Sequence, residues 1–590
     1  MCELTSFYSK KIDLYQEQLK AVKSQLLVSS MLRLVVFVLA AVAIYFVSPT
    51  TNLILAVILI FIVSFLFLVS RHTDLNYKKD KLLALLKINT TELKVLDRKF
   101  HDLPDGSNFK DPLHYYSQDI DLFGKGSFYQ YCNRTVLPQG SEKLAHLFTE
   151  NVIDTIQLKQ EAIQELAHLT DWRQEFSAEA SLVKTETPYQ AILDWMKAYK
   201  PFLPKRIKLL PLIFTVFSVI MWSCYFFVPL SIFTLVLVLI LGLGITGIYV
   251  KKINKLASDS GRIQTTFQQY QKLIAAIENK DFTSDLLQRK KDTILQDHKK
   301  TSEILHEFSR ILGALDQRNN MLFGFLANGF MLWDIYQSYK IENWIETYGE
   351  QVEAWFTTIA FFDAFNSLAN FTYNHPAYVF PRIQEDTMVL DVKGAGHPLL
   401  DPKKSISNDI QIGNEQFFII TGANMAGKST FLRTVSLQIV MANVGLPVCA
   451  KEANYSPIKL ITSMRTTDSL TDDESYFFSE LKRLRFIVDE IKTDRYFIVL
   501  DEILKGTNST DKAIGSRKFV EKLIASKATG IIATHDLSLC EAATDLPQVK
   551  NHYFDAEIID NELHFDYTFK KGICKNMNAS FLLKKMQIVD

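Results

Sequence analysis

The sequence has no surplus of charge of either sign, because 65 Lys and Arg residues are balanced by 65 Asp and Glu residues. Proteins that bind DNA non-specifically usually carry a basic surplus, so any nucleic-acid surface here must be local. The six cysteines are scattered, without a CxxC pair and without a paired His spacing. That pattern disfavours a zinc site and a disulfide framework, and it is typical of a reducing compartment.

Charge is also missing from the interior of four long apolar stretches, which form two close pairs. They occupy residues 31–47, 53–69, 207–228 and 230–250. Each stretch approaches or reaches the roughly 17–25 apolar residues that a membrane-spanning helix needs. We therefore expect two transmembrane hairpins, at 31–70 and 207–250. Buried core helices of a large soluble domain are the alternative interpretation.

Basic residues flank both hairpins at their open ends, whereas the connecting turns contain neither Lys nor Arg. Positive charge beside a membrane span favours the cytoplasmic side. We therefore predict a multi-pass protein of the cell (inner) membrane, with four spans in two hairpins. Its N-terminus and all its large segments are expected in the cytoplasm.

The rest of the chain changes character near residue 376. Helical periodicity predicts an amphipathic helix at 1–30 and a helical arm with a linker at 71–118. It also predicts a helical core or lever in two parts, at 119–206 and 251–375. From 376 to 590, short β-rich runs such as FFII and YFIVLD alternate with helical stretches. Such alternation is typical of an α/β domain with a mostly parallel sheet. The expected fold class is thus α plus α/β.

The stretch TGANMAGKST at 421–430 contains the pattern G-x-x-x-x-G-K-[ST], directly after a predicted strand and at the start of a predicted helix. Glycine-rich backbone at a helix N-terminus binds phosphate oxygens, the lysine reaches the β- and γ-phosphates, and the serine hydroxyl ligates Mg²⁺. We therefore predict a P-loop of the ABC/RecA-like type. Its nucleotide-binding residues are Gly422, Ala423, Asn424, Met425, Ala426, Gly427, Lys428, Ser429 and Thr430.

Two later strand ends supply further groups that a nucleotide hydrolase needs. Asp501 follows the apolar run YFIVL and suits the Mg²⁺ shell together with Ser429, while Glu502 suits polarisation of the attacking water. His535 directly follows the run GIIAT and, as a neutral imidazole, could sense the γ-phosphate. We predict Lys428, Glu502 and His535 as the catalytic groups. An acidic pair that merely ends a strand is the alternative.

Together, TGANMAGKSTFLR, LDEILKGTNSTD and ATHDLSL resemble the MutS family of DNA mismatch-repair ATPases. The segments 119–148 and 392–400 are similar to the family's helical core and to its entry into the ATPase domain. The resemblance implies ATP with Mg²⁺, a homodimer through the ATPase domains, and ATP binding as a dimerisation switch. It also implies that Ser475 contacts the partner's γ-phosphate, although Asp473 replaces the family's glycine two residues earlier.

The chain departs from the family in features that concern DNA. Outside the first hairpin, too few residues precede Asp119 for a mismatch-reading domain and its connector, and a hairpin stands where the family has a DNA-gripping clamp. One hypothesis is a membrane-anchored MutS-like ATPase coupled to mismatched, branched or damaged DNA, with mismatch specificity in doubt. The other is a MutS-derived ATP switch that acts on a protein or membrane partner, with DNA binding lost. A transporter ATPase is disfavoured because no LSGGQ-type signature occurs.

Overall fold

The computed structural model describes residues 2–47, 51–183, 188–228, 230–295, 299–385, 387–423, 425–465, 476–559, 562–574 and 587–588. Up to residue 374, the α-helices of the described part are α1 Cys2–Val47, α2 Thr51–Leu96, α3 Phe128–Cys132, α4 Pro138–Thr149, α5 Ile156–His168, α6 Thr170–Ser181, α7 Tyr189–Ala198, α8 Leu210–Phe227, α9 Ile232–Glu278, α10 Asp285–Asp292, α11 Thr301–Asp316, α12 Met321–Met331, α13 Trp333–Tyr348 and α14 Val352–Asn374. The predicted predominance of helix in this part of the chain is confirmed.

Within the described residues, four segments are long and apolar enough to cross a membrane, judged by length and composition alone. They are Cys2–Val47, Leu53–Leu96, Lys205–Phe227 and Ile232–Gly261. At most 22% of the most apolar window in any of them is buried by the rest of the chain. Most apolar side chains of these windows therefore lie exposed on the protein surface.

The predicted boundaries at residues 30, 70 and 250 fall inside continuous helices. α1 and α2 each run for 46 residues, and α9 runs for 47. At about 1.5 Å per residue, each is roughly 70 Å long, about twice the hydrocarbon thickness of a bilayer. The composition changes along α1 and α2 without any Pro or Gly, so nothing in the backbone ends the helix where the apolar run ends.

α9 continues from an exposed apolar part into the centre of the helical core. Its residue Phe267 is fully buried, and its ring lies 5.0 Å from Phe308 of α11, 6.0 Å from Trp344 of α13 and 5.7 Å from Phe356 of α14. Aromatic rings at these separations and tilts stabilise one another beyond the area that they bury. Three helices are thereby packed around the polar half of α9.

The chain from residue 376 forms the α/β unit. Its elements are β1 Arg382–Ile383, β2 Met388–Ala395, β3 Asn408–Gly413, β4 Phe417–Gly422, α15 Lys428–Val444, β5 Glu452–Tyr455, β6 Lys459–Ser463, α16 Tyr476–Glu490, β7 Tyr496–Asp501, α17 Ser509–Ala525, β8 Thr529–Ala533, α18 Ala542–Asp545, β9 Val549–Phe554, β10 Ala556–Ile559, β11 Glu562–Phe565 and β12 Lys570–Lys571. They form mixed sheets beside the helical part, as expected.

The largest sheet has the strand order β12-β9-β4-β8-β7-β6. The five strands from β9 to β6 are parallel, and β12 pairs antiparallel with β9 at the edge. All residues of β4 and β8 are buried, as continuous apolar runs predict for a parallel sheet covered on both faces. A smaller sheet of order β1-β5-β2-β3 lies in the same unit.

Asp119 connects the helical core to the end of β6. Its buried carboxylate accepts hydrogen bonds from Thr462 Oγ1 at 2.5 Å, from Met464 N at 3.0 Å and from Arg465 N at 2.9 Å. The neighbouring Asp121 forms a bidentate ion pair with the Arg465 guanidinium at 2.6 and 2.7 Å, in a more exposed position. Two carboxylates of the core thus bind the same strand end in different environments.

We expect Asp119→Ala to lower the free energy of unfolding by about 3 kcal/mol, because it leaves buried N–H groups without an acceptor. Chemical unfolding of the detergent-purified chain measures this. Asp121→Ala is the matched control and should cost at most about 1 kcal/mol, since its ion pair is partly exposed. Equal losses for the two variants would contradict the assignment of Asp119 as the stabilising junction.

Candidate nucleotide-binding site

The segment between β4 and α15 requires glycine at two positions. Gly422 has φ of 150°, and a Cβ there would lie 2.6 Å from the Phe554 carbonyl oxygen. Gly427 has φ of 102°, and its Cβ would lie 3.1 Å from Tyr567 Cδ1. The strand, the loop and the helix beginning at Lys428 have the order that a phosphate-binding loop needs. The predicted binding residue Asn424 lies outside the described residues.

The Lys428 side chain is buried beneath this loop. Its Nζ donates to the carbonyl oxygens of Gly422 at 2.7 Å and Ala423 at 2.9 Å, and lies 3.3 Å from His535 Nε2. Burial lowers the pKa of Lys428, and the carboxylates of Asp501 and Glu502 oppose that shift. The structure therefore brings a fixed cation to the loop, between its backbone and the ends of β7 and β8.

Ser429 and Asp501, the two predicted Mg²⁺ ligands, are in direct contact. Ser429 Oγ donates to Asp501 Oδ2 at 2.7 Å. One hydroxyl and one carboxylate fit Mg²⁺, which prefers oxygen and is usually bound by one or two carboxylates together with substrate phosphates. Among the described residues, no group of three or more His, Cys, Asp or Glu could hold a metal by itself. A cation here would thus need oxygens from the nucleotide as well.

Glu502 has a left-handed backbone, with φ of 50°, directly after β7. Its N–H donates to the Ala533 carbonyl at 2.9 Å, and its Oε1 lies 3.9 Å from both His535 Nε2 and Lys512 Nζ. A non-glycine residue in this region of φ is strained, and such strain is concentrated at functional sites. Burial and the Lys428 charge lower the pKa of His535. The imidazole is therefore neutral near pH 7.

Glu480 is a site residue that the sequence did not reveal. Its buried carboxylate accepts from Leu504 N at 2.6 Å and Lys505 N at 3.0 Å, and burial raises its pKa. These bonds fix the loop that follows Glu502. The only charged residue of the stretch YFFSEL is this glutamate, but its hydrogen-bond partners lie more than 20 residues away along the chain.

Ile406 and Tyr567 also line the site, although no sequence motif revealed them. They share one cavity of about 600 Å³ with Lys428, Asp501 and His535. Such a volume and a mixed polar and apolar lining are typical of small-molecule sites.

Asn408 holds the segment that contains Tyr567 in place. Its side chain donates to the Tyr567 carbonyl at 3.0 Å and accepts from Phe569 N at 2.7 Å. Phe569 in turn stacks on Phe431 of α15, with the ring centroids 4.4 Å apart. These hydrogen bonds and this ring contact hold the segment 567–569 over the start of α15.

The structure also lines the cavity with Ala423, Met425, Gly427 and Thr430, and Gly422 and Ala426 complete the described part of the loop. Ser475, the residue implied to act on a partner subunit, lies outside the described residues, as do Asp473 and 575–586. The roles assigned to all these residues remain predictions.

Residues 418–586 match the family described as MutS domain V. The chain is 33% identical over 230 residues to "DNA mismatch repair protein MSH4" of Arabidopsis thaliana, covering 38% of this chain and 28% of the relative. It is 33% identical over 213 residues to human "MutS protein homolog 4", covering 34% and 22%, and 32% identical over 248 residues to "DNA mismatch repair protein MutS" of Chloroflexus aurantiacus, covering 40% and 25%. The chain thus spans about a quarter of the length of these relatives.

We expect Lys428→Ala to weaken ATP binding by on the order of 100-fold, because it removes the charge-assisted hydrogen bonds that the ammonium would give to phosphate. Equilibrium titration with a fluorescent ATP analogue measures the affinity. Lys527→Ala is the control, since Lys527 is exposed and pairs with Glu415 away from the cavity. Unchanged affinity in Lys428→Ala would remove the lysine from its assigned role.

ATP turnover should be constant from pH 8 to pH 7 and fall on acidification below the ordinary histidine range. The pKa of His535 is lowered, so the neutral form persists at neutral pH and is lost only as pH falls through that lowered pKa. A pH–rate profile tests this, and His535→Gln should remove the acidic limb attributable to the imidazole. A His535→Gln profile identical to that of the wild type would contradict it.

Proposed function

Since the chain belongs to the MutS family through its domain V, we propose that it is a membrane-anchored ATP hydrolase whose ATPase domains associate when ATP is bound. One observation carries this proposal: Lys428, Ser429, Asp501, Glu502 and His535 all line one cavity of about 600 Å³. Three of these residues stand at the carboxyl ends of the neighbouring strands β7 and β8. Ligands of open α/β sheets bind at this edge.

Each of these groups has a distinct task in hydrolysis. Lys428 and the loop amides hold the phosphates, and Ser429 and Asp501 hold Mg²⁺, which neutralises charge on the phosphates. Glu502 orients and polarises the attacking water. Neutral His535 lies beside the γ-phosphate, with its Nε2 3.3 Å from the Lys428 ammonium, from which it accepts a hydrogen bond. Ile406 and Tyr567 line the same cavity and offer apolar surface to the nucleoside.

The anchor consists of the four long apolar segments. Their large side chains are exposed, for example Phe46, Phe67, Phe227 and Leu237. In water such a surface would be covered by another apolar surface, whereas in a bilayer it is solvated by lipid. The basic residues that flank the spans favour the cytoplasmic side of the cell (inner) membrane. In this proposal the N-terminus, the helical core and the α/β unit therefore all lie in the cytoplasm.

DNA is the ligand to which we propose that this ATPase is coupled. The support is that its relatives carry names of DNA mismatch repair proteins. The proposal includes branched and damaged DNA as well as mismatched DNA as candidate ligands. In this proposal two chains associate through their ATP-bound domains, with Ser475 reaching the partner's γ-phosphate, and hydrolysis releases them.

A second candidate is an ATP switch that acts on a protein or on the membrane itself. The continuity of α9 favours it, because the same helix contains an exposed apolar part and the buried Phe267. A movement of the helical core would therefore be transmitted to the membrane along one continuous helix. Failure of DNA to change ATP turnover would favour this candidate.

We expect Glu502→Gln to bind ATP with near wild-type affinity, to lose hydrolysis by on the order of 100-fold or more, and to accumulate as an ATP-bound dimer. The loss follows from removing the carboxylate that activates water while leaving Lys428 and Asp501 in place. Turnover and the mass of the detergent-solubilised particle, measured with and without ATP, test both parts.

Glu521→Gln serves as the control, because Glu521 lies on α17 and pairs with Arg517 on the surface. It should hydrolyse ATP at the wild-type rate and show no trapped dimer. If Glu502→Gln turned over as fast as Glu521→Gln, Glu502 would not be the activating group. If it were inactive yet monomeric with ATP, the dimerisation switch would be wrong.

A further inference from the structure

The short helix α12 has the reverse of the side-chain arrangement expected on the surface of a protein in water. Its sequence, MLFGFLANGFM, contains no charged residue. Its large side chains face outward, with Met321 88% and Leu322 71% exposed. Its buried positions carry only small or short side chains, namely Gly324, Ala327, Asn328 and Gly329. Small residues at the contact and large apolar residues outside are typical of helices packed within lipid.

α12 packs against the two apolar helices of the second hairpin. A Cβ added to Gly242 of α9 would collide with the Gly329 carbonyl oxygen, and a Cβ on Gly329 would collide with the Leu239 side chain. On the other side, the Phe330 ring lies 5.7 Å from Trp222 of α8. Gly242 is near the middle of the apolar run 230–250, so the end of α12 lies beside the middle of that run.

The polar groups around α12 are arranged to close its two ends. Asn320 Oδ1 accepts from Phe323 N at 3.1 Å at the start, and Asn328 Oδ1 accepts from Asp334 N at 2.9 Å just past the end. Arg318 Nε bonds Asp334 Oδ2 at 2.9 Å, joining the residues before and after the helix. At about 1.5 Å per residue, α12 is roughly 16 Å long, which is half the hydrocarbon thickness of a bilayer. It cannot cross.

We propose that α12 is a re-entrant membrane helix, a fifth membrane-embedded segment whose outward side chains contact lipid acyl chains. The inference rests on the proposal that α8 and α9 span a membrane. Lipid is the occupant of this face because the face is continuous with the exposed apolar surfaces of α8 and α9, against which α12 packs. α11 and α13, which flank α12, pack on the buried part of α9. The helical core thus contacts the second hairpin both through α12 and through the buried part of α9.

Four native methionines report on this proposal without mutation. Met321 and Met331 belong to α12, Met31 belongs to the apolar half of α1 with 67% exposure, and Met425 belongs to the phosphate-binding loop with 77% exposure. We would oxidise the full-length chain in lipid nanodiscs with hydroxyl radicals, without nucleotide, and measure each site by peptide mass spectrometry. Met321, Met331 and Met31 should oxidise roughly tenfold more slowly than Met425, because the hydrocarbon core excludes water.

The outcomes separate this inference from the anchor on which it rests. Met221, in the apolar run of α8, reports on the second hairpin in the same experiment. If Met31 and Met221 are protected but Met321 and Met331 oxidise as fast as Met425, α12 lies in water and the inference is overturned while the anchor stands. If all five oxidise alike, the membrane anchor itself is wrong. A lipid-borne carbene reagent should label 321–331. Protection without such labelling would mean that protein, not lipid, covers α12, and would also overturn the inference.

A pair of glycine variants tests the packing. Gly242→Ala should raise the oxidation rate of Met331 severalfold, because its Cβ displaces α12 from α9. Gly244→Ala is the matched control on the same helix, since a Cβ there has nothing within 4 Å among the described residues. Equal Met331 rates in the two variants would contradict the close contact between Gly242 and Gly329 as the feature that holds α12.

Discussion

The helix α9 constrains how the rest of the structure can move. It runs for 47 residues without a proline, from an exposed apolar part to the buried Phe267, around which α11, α13 and α14 pack. Because the helix is continuous, its exposed apolar part and its buried part are directly connected. α14 also leads into the α/β unit, so packed helices connect the unit that contains the candidate nucleotide site to the second hairpin.

The candidate nucleotide site depends on the parallel sheet. Gly422, Asp501 and Thr534 end or follow three strands, β4, β7 and β8, that are neighbours in the order β4-β8-β7. Parallel strands bring their carboxyl ends to one edge, so residues distant along the chain meet there. Side chains from other elements complete the site. Glu480 accepts hydrogen bonds from the loop after Glu502, and Asn408 accepts one from the segment 567–569, which lies over α15.

The sequence predicted those parts of the structure whose determinants are local. The spacing of Gly422, Gly427 and Lys428 specifies a loop between a strand and a helix, and apolar runs before Asp501 and His535 specify two more buried strands. Glu480 and Asn408 could not be predicted, because their hydrogen-bond partners are set by tertiary contacts. The limits of the helices were also beyond reach, since a change from apolar to polar composition does not end a helix. α12 could not be recognised as a membrane segment because its eleven residues are too few for a span.

The most direct measurement is the ATP turnover of the full-length chain in nanodiscs with Mg²⁺, alone and with homoduplex, mismatched and branched DNA, at two salt concentrations. We expect turnover that at least one DNA structure raises or lowers, by an amount that shrinks at the higher salt because phosphate contacts are screened. A turnover that is the same with every DNA at both salts would contradict coupling to DNA.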